Sequence, residues 1–295
     1  MSTERSIRVL VNPSAGRGRG AARLDRLRVL ASAAGAGFVM SKSAADVVEQ
    51  ARRAAADGVE RLLVAGGDGT AHYAAQGLAG TACALAIVPL GTGNDLAAAL
   101  GAPRRIDEAW AAALTGPVRA IDLLRVGDTY ALGYAGVGFD SEVARVANRA
   151  RRLRGPLVYA WAVLRTLVSF VPPRMRLVYD TGRFEGPVMF AVLANLPSFG
   201  GGMKIAPEAR IDDGLLDLVL VREVPRHTLL AVFPKVYSGS HVGHPAIVMA
   251  KVRRAEITID RPLDLYGGGE PIRSMVPGEP VTVEVVPGAL RVVKP

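Results

Sequence analysis

Three times before Leu123, a run of consecutive apolar residues ends in a glycine-rich loop and then passes into a helix-forming stretch. "SIRVLV" leads to "NPSAGRGRG" and an Ala/Arg/Leu-rich segment, "RLLVA" to "GGDGT" and "AHYAAQGLAG", and "LAIVP" to "LGTGND" and "LAAALG". Strands that are apolar at every position are buried on both faces, as in a parallel sheet covered by helices. The pattern predicts a three-layer α/β domain. Ligands of such domains lie beyond the carboxyl ends of the strands, where these three loops would gather. Amides at the start of each following helix form cradles for anions. Three cradles together predict a ligand carrying several phosphates.

After Ile121-Asp122-Leu123 the period shortens. "DTYALGYAGVGFD", "RLVYDTGRFEGPVMFAVLAN", "LLDLVLVREV", "AEITI" and "VTVEVVPGALRVV" are strand-like runs broken by turn pairs such as Thr181-Gly182 and Pro287-Gly288. Only residues 142–171 and 226–237 read as helical. A second, mostly antiparallel domain of the sandwich type is therefore expected. The boundaries are 1–124 and 125–295, with the last segment free to return to the first domain.

Composition narrows the function classes. A chain of 295 residues is comfortable for two domains, and with 50% hydrophobic residues, 33 Gly and 19 Pro it is globular and turn-rich. The most apolar stretch, Leu157 to Val171, is short for a membrane span and interrupted by Arg165. No signal layout opens the chain, and a lone cysteine, Cys83, excludes an intrachain disulfide. The expectation is a soluble cytosolic protein. The net charge of +9 gathers at Arg145, Arg149, Arg151, Arg152 and Arg154, and at Lys251, Arg253 and Arg254. Such clusters attract polyanions, although each taken alone is also an ordinary solvated face. Aromatic residues make up only 5% of the chain, thin for base stacking, so nucleic acid is disfavoured.

Individual motifs differ in specificity. Gly16, Gly18 and Ala21 fit a dinucleotide-binding spacing, but the second strand ends in "GFVMSKS", without the ribose-binding acid. "GGDGT" is sharper. Gly66 and Gly67 let backbone approach phosphate, Asp68 can reach a metal or hydroxyl, and Thr70 offers a donor. The competing role for Asp68 is a cap on a helix starting at Thr70. In "GTGND", Asn94 or Asp95 has the same alternative. His241 and His244 read as loop residues rather than a metal pair. Cys83 reads as a small buried hydrophobe and Lys204 as a solvated lysine.

The ordered set "NPSAG", "GGDGT", "PLGTGND", "GVGFD", "FGGGMKIAPEARIDDGLLD" and a late Gly-Glu-Pro resembles the diacylglycerol kinase catalytic family, from about Ile7 to Pro295. That family holds bacterial lipid kinases and, more distantly, sphingosine and ceramide kinases. The resemblance implies an N-terminal, NAD-kinase-like nucleotide-binding domain and a C-terminal β-rich domain that receives the lipid. ATP would be held by Asn12, Pro13, Ser14, Ala15 and Gly16, by Ser41, by Gly66, Gly67, Asp68, Gly69, Thr70, Ala71 and His72, and by Gly91, Thr92, Gly93, Asn94 and Asp95. Asp213, with carbonyls of Arg210 and Leu215, matches a Mg2+ site, for which a simple turn at "DDG" is the alternative. Glu270 or Asp68 would serve as catalytic base. The implied acceptor is diacylglycerol or a similar lipid, met at the anionic inner face of the membrane. Oligomeric state is left open, a homodimer included.

Three departures bear on rate. Where the family has Asp-Gly-Glu this chain has Gly268-Gly269-Glu270, Tyr73 stands in place of a glutamate, and Gly133 in place of an asparagine. These keep alive a second reading, a degenerate member that binds nucleotide or lipid without turnover. An NAD-kinase-like enzyme shares "GGDGT" but not "PLGTGND" or "GGGMKIAPEA".

Overall fold

The computed structural model describes residues 6–15, 20–91, 93–149 and 156–294. Gly16, Gly18, Thr92, Arg151, Arg152 and Arg154 lie outside the described residues. The chain divides into two compact units, Met1–Leu123 with Gly288–Pro295, and Leu124–Pro287.

In the first unit the repeated apolar-loop-helix pattern folds as β1 (Ile7–Val11), α1 (Gly20–Ala33), β2 (Gly37–Met40), α2 (Ala44–Ala56), β3 (Arg61–Gly66), α3 (Asp68–Leu78), β4 (Ala84–Pro89), α4 (Asp95–Ala99), α5 (Ile106–Thr115) and the start of β5 (Val118–Val126). β4, β3, β1 and β2 pair in that order, all parallel. Every residue of β3 and β4 is buried, which is why neither strand alternates polar with apolar. The helices are seated by local chemistry. Ser43 Oγ accepts the Asp46 amide at 3.1 Å, and the Asp46 carboxylate accepts the Lys42 amide at 2.8 Å, a reciprocal cap that starts α2. That second bond holds the Asp46 carboxyl below its usual range. α2 then packs against α3 so closely that a Cβ on Gly77 would stand 2.5 Å from the Val48 carbonyl oxygen.

The second unit continues with β6 (Thr129–Ala131), β7 (Tyr134–Gly138), α6 (Phe139–Arg149), α7 (Pro156–Ser169), β8 (Arg174–Tyr179), β9 (Gly182–Ala194), β10 (Leu216–Arg222), α8 (Arg226–Val232), β11 (Ile247–Val252), β12 (Arg254–Ile259), β13 (Leu263–Gly267), β14 (Glu270–Met275) and β15 (Val281–Val293). Strand β9 is shared. Its first half pairs with β8, and its second half lies between β7 and β10. Two antiparallel layers result, one running β14-β13-β7-β9-β10-β11 and the other β9-β8-β12-β15. Their facing residues, among them Val137, Leu177, Leu193, Leu218, Ile257 and Val283, are fully buried and make one core. The end of β15 belongs to the first unit, where Val292 pairs in parallel with Leu85 of β4. Gly288, at φ +62, turns the chain there and donates its amide to Asp122 Oδ1 at 2.8 Å.

Candidate functional site

Each strand of the first unit ends in a loop, and three of these loops are tied to one another. Asn12, just past β1, donates from Nδ2 to Thr70 Oγ1 in the first turns of α3 at 2.9 Å. The loop after β3 meets the loop after β4 backbone to backbone, for a Cβ on Gly91 would lie 2.6 Å from the Gly67 Cα. Gly66 is equally crowded, since its Cβ would sit 2.6 Å from Thr70 Cβ. Asp68 does not cap a helix beginning at Thr70. α3 starts at Asp68 itself, and the Oδ1 of Asp68 accepts the Leu96 amide at 3.1 Å, so this carboxylate caps the neighbouring α4 instead.

Asn94 has a distinct role from the capping one that its position suggests. It is the one non-glycine residue with positive φ, +58, among the described residues. Its Oδ1 accepts the Gly91 amide at 2.9 Å and its Nδ2 donates to the Gly91 carbonyl at 2.8 Å, so it folds the "GTGND" loop back on itself. Asp95 and His72 are buried. His72 Nε2 accepts from the Gln76 amide at 3.0 Å, and burial pushes its pKa down to about 4, so the ring is neutral. Ser41, also buried, follows β2 and donates from Oγ to the Val11 carbonyl at 3.3 Å. Pro13, Ser14 and Ala15 form a turn in which the Ser14 amide is taken by Asn12 Oδ1 at 2.9 Å and the Ala15 amide by the Asn12 carbonyl at 3.1 Å. Asn12, Gly66, Gly67, Asp68, Thr70, Gly91, Asn94 and the start of α4 are thus drawn together. Ser41 is joined to the end of β1, while Gly69, Ala71 and Gly93 follow their motifs along the chain.

In the second unit the glycine run answers to geometry. Gly268 and Gly269 have φ of +60 and +85 and connect β13 to β14, the two positive values that a tight hairpin of this hand needs. Gly267 is required for space, since its Cβ would fall 2.3 Å from Ile272 Cδ1 and 2.7 Å from the Tyr134 carbonyl. Tyr134 Oη accepts the Gly269 amide at 3.2 Å. Glu270 leaves this turn half-buried, paired in register with Gly267. Asp264, the other acid of the hairpin, accepts from Ser274 Oγ at 2.7 Å.

Sequence reasoning singles out "GVGFD" but passes over its acid. Asp140 is half-buried in the first turn of α6 with its carboxyl turned inward, and desolvation drives its pKa up to about 7 against two backbone amides that oppose the shift. Its Oδ1 has no hydrogen-bond partner among the described residues. Gly136 makes room for it, for a Cβ there would lie 2.2 Å from Asp140 Oδ2. That glycine, shortly before "GFD", is the signal the sequence offers. Asp140 and His241 line an otherwise apolar cavity of about 80 Å³ with Phe139, Val163, Phe199 and Phe233. His241 is buried, its Nε2 donates to the Ile205 carbonyl at 3.1 Å, and burial lowers its pKa, so the ring is neutral in the core. A carboxyl kept protonated in apolar surroundings can donate a hydrogen bond to an uncharged oxygen.

Asp213 sits in a tight turn with Gly214 at φ +71, and its Oδ1 accepts the Leu215 amide at 3.1 Å. Its Oδ2 faces Lys251 Nζ at 3.4 Å, which also reaches Asp217 at 3.2 Å. Asp213 thus joins the turn to β11 through Lys251. Cys83 is buried with its thiol pushed up to about 11, and Lys204 is exposed, both in line with the sequence reading. Among the described residues, no helix is long and apolar enough to cross a membrane.

Comparison with known proteins places both units in one lineage. The diacylglycerol kinase catalytic domain model matches residues 6–126, and the YegS C-terminal NAD kinase beta sandwich-like domain model matches residues 133–294. A diacylglycerol kinase of Mycobacterium tuberculosis is 33% identical over 218 residues, 72% of this chain and 69% of that protein. A diacylglycerol kinase of Bacillus subtilis is 30% identical over 197 residues, 66% of this chain and 65% of that one. Among solved structures, a Bacillus anthracis protein assigned as a diacylglycerol kinase superposes with a TM-score of 0.80 at 22% identity, covering 99% of this chain and 97% of that one. Yeast NADH kinase, at 10% identity over 98% of this chain and 83% of its own, reaches 0.53 and shares the fold alone.

Proposed function

The chain belongs to the diacylglycerol kinase family of lipid kinases, and from that premise we propose that it transfers the γ-phosphoryl group of ATP to a hydroxyl of diacylglycerol or a closely similar lipid. The observation that carries the nucleotide half of this reading is the knot of loops in the first unit. Asn12 bonded to Thr70 and Gly67 in contact with Gly91 form a surface of small residues and amides suited to a triphosphate. In the transfer, the acceptor oxygen forms a bond to the γ-phosphorus and the bond from that phosphorus to the β–γ bridging oxygen breaks, leaving ADP. The hydroxyl proton passes to Glu270, with Asp68 the alternative acceptor. Such transfers ask mainly for positioning and charge neutralisation, so a site short of one carboxylate can still turn over. Magnesium, when bound, neutralises the phosphate oxygens. Asp68 is the side chain suited to hold it there, and a further cation at Asp213 would have to compete with Lys251.

The apolar cavity beside Asp140 supports the lipid half. At about 80 Å³ it is small against ordinary ligand sites, so an acyl chain would have to move some of the aromatic side chains that line it. The acceptor would be met at the inner membrane face, and the product would enter phospholipid metabolism. A coupled assay of ADP release, with mixed micelles of diacylglycerol or sphingoid base and with NAD as a control acceptor, tests the reading. ADP release that depends on diacylglycerol and falls in Glu270→Ala supports it, and release only with NAD refutes it. One observation favours a non-catalytic binder, namely that Gly268 puts no carboxylate on the hairpin turn. Activity appearing only in Gly268→Asp would decide for that alternative.

A further inference from the structure

Helix α7 carries two apolar stripes, and among the described residues only one is packed. Val158, Ala162, Val163 and Leu167 pack with α6 into the core. On the opposite side Trp161, Leu164, Arg165 and Val168 follow one another at helical spacing, with exposures of 41% for Trp161, 56% for Leu164 and 69% for Val168. Val171, just beyond the helix, is 60% exposed. A groove of about 550 Å³ runs beside this stripe, lined by Trp161 and Val171 and by Arg145, Arg165, Arg261 and Glu142. Arg145 is held by Glu142, and Arg261 lies 3.1 Å from Asp260. Arg165 has no carboxylate partner among the described residues. Thr166 is buried on the packed side of the helix.

Exposed tryptophan and aliphatic side chains next to guanidinium groups match the boundary of an anionic bilayer. Apolar side chains enter the acyl region there, while arginine stems lie along it with their heads at the phosphates. An acidic protein surface would satisfy the charges but not the four exposed apolar side chains. We propose that this face of α7, with its groove, docks the protein on anionic phospholipid, a headgroup phosphate sitting among Arg145, Arg165 and Arg261. The proposal rests on the lipid-acceptor reading, and it assigns the membrane surface to a particular helix face.

Flotation of the full chain with vesicles of phosphatidylcholine, with and without phosphatidylglycerol, tests it. The wild type is expected to float with the anionic vesicles only, and less at high salt. Arg165→Gln should weaken partitioning about fivefold, the worth of one basic charge at such a surface. Val168→Asp should weaken it at least as much, and unchanged thermal melts would show that both variants fold. Equal binding to neutral vesicles, or variants that float like the wild type, overturns the proposal. If Arg165→Gln fails to fold, Trp161→Ala gives the same comparison. Turnover on a short-chain diacylglycerol below its micelle concentration separates the two readings. Full turnover without vesicle binding sinks the docking face alone, whereas vesicle binding lost in the variants, without turnover in any protein, leaves the docking face standing and removes the kinase reading.

Discussion

Asn12 and Thr70 stand 58 positions apart in sequence, yet the Asn12 amide donates to the Thr70 hydroxyl at 2.9 Å. The bond fastens the loop after β1 to the first turns of α3. Thr70→Val keeps the shape that packs against Gly66 and removes the acceptor, which leaves the Asn12 amide short of a partner. A lost hydrogen bond of this kind costs roughly 1–2 kcal/mol, equivalent to about a tenfold rise in KM for ATP. The melting temperature should fall by a few degrees. Steady-state kinetics with saturating lipid checks this, and an unchanged KM would remove Thr70 from the nucleotide site.

The contact of Gly67 with Gly91 is a matter of space rather than backbone conformation. Neither has a positive φ, but a Cβ on Gly91 would approach the Gly67 Cα to 2.6 Å and Asn94 Oδ1 to 2.9 Å. Gly91→Ala must therefore push two loops apart. The expected cost is about 1–3 kcal/mol of stability, as for other overpacked sites, together with loss of nucleotide binding. Gly243→Ala is the control, because its Cβ would meet nothing within 4 Å. Denaturant unfolding and ATP titration of the two variants should diverge, and like behaviour would mean that the loops have slack.

Much of the architecture is legible in the sequence. Unbroken apolar runs such as "RLLVA" and "LAIVP" announce strands buried on both faces, and both are buried along their whole length. Turn pairs announce the β-rich second half, and α6 and α7 lie along the helical stretch expected at 142–171. Sequence does not assign side-chain partners. Nothing local says that Asp68 caps α4 rather than its own helix, because Leu96 reaches it only through the parallel pairing of β3 with β4. Nor does "GGG" say which glycine is needed for its φ and which for clearance. Asp140 escapes notice for the same reason, since its environment is built by β7, β9 and α8, three separate parts of the chain.

Glu270 leaves a turn whose two central residues have φ of +60 and +85. Glu270→Gln keeps the size and removes the base. If Glu270 accepts the hydroxyl proton, kcat falls by about 10²- to 10⁴-fold with little change in KM for ATP. Gly268→Asp tests the missing carboxylate. An aspartate tolerates left-handed backbone better than most residues, so the hairpin should survive. It is expected to raise kcat severalfold, and a drop with an intact melt would show that the glycine is part of the working site.

Asp140 and His72 give the two halves of the chain opposite responses to pH. The Asp140 carboxyl, pushed from 3.8 up to about 7 by burial, stays protonated where the unfolded chain has already ionised. Its contribution is therefore complete below 3.8, declines as pH rises, and is gone once pH passes about 7. Each tenfold difference in proton affinity between folded and unfolded chain is worth about 1.4 kcal/mol, so the loss is of order 4 kcal/mol. His72, lowered from 6.5 to about 4, behaves in reverse, with stability present above 6.5 and lost as pH falls through about 4. Hydrogen exchange followed across that range should show protection in β7 and β9 falling with rising pH while protection in α3 rises. Asp140→Asn should flatten the first trend and leave the second untouched. If both regions respond alike, or the variant keeps the wild-type slope, Asp140 is ionised in the folded protein, and it can then accept but not donate a hydrogen bond in its cavity.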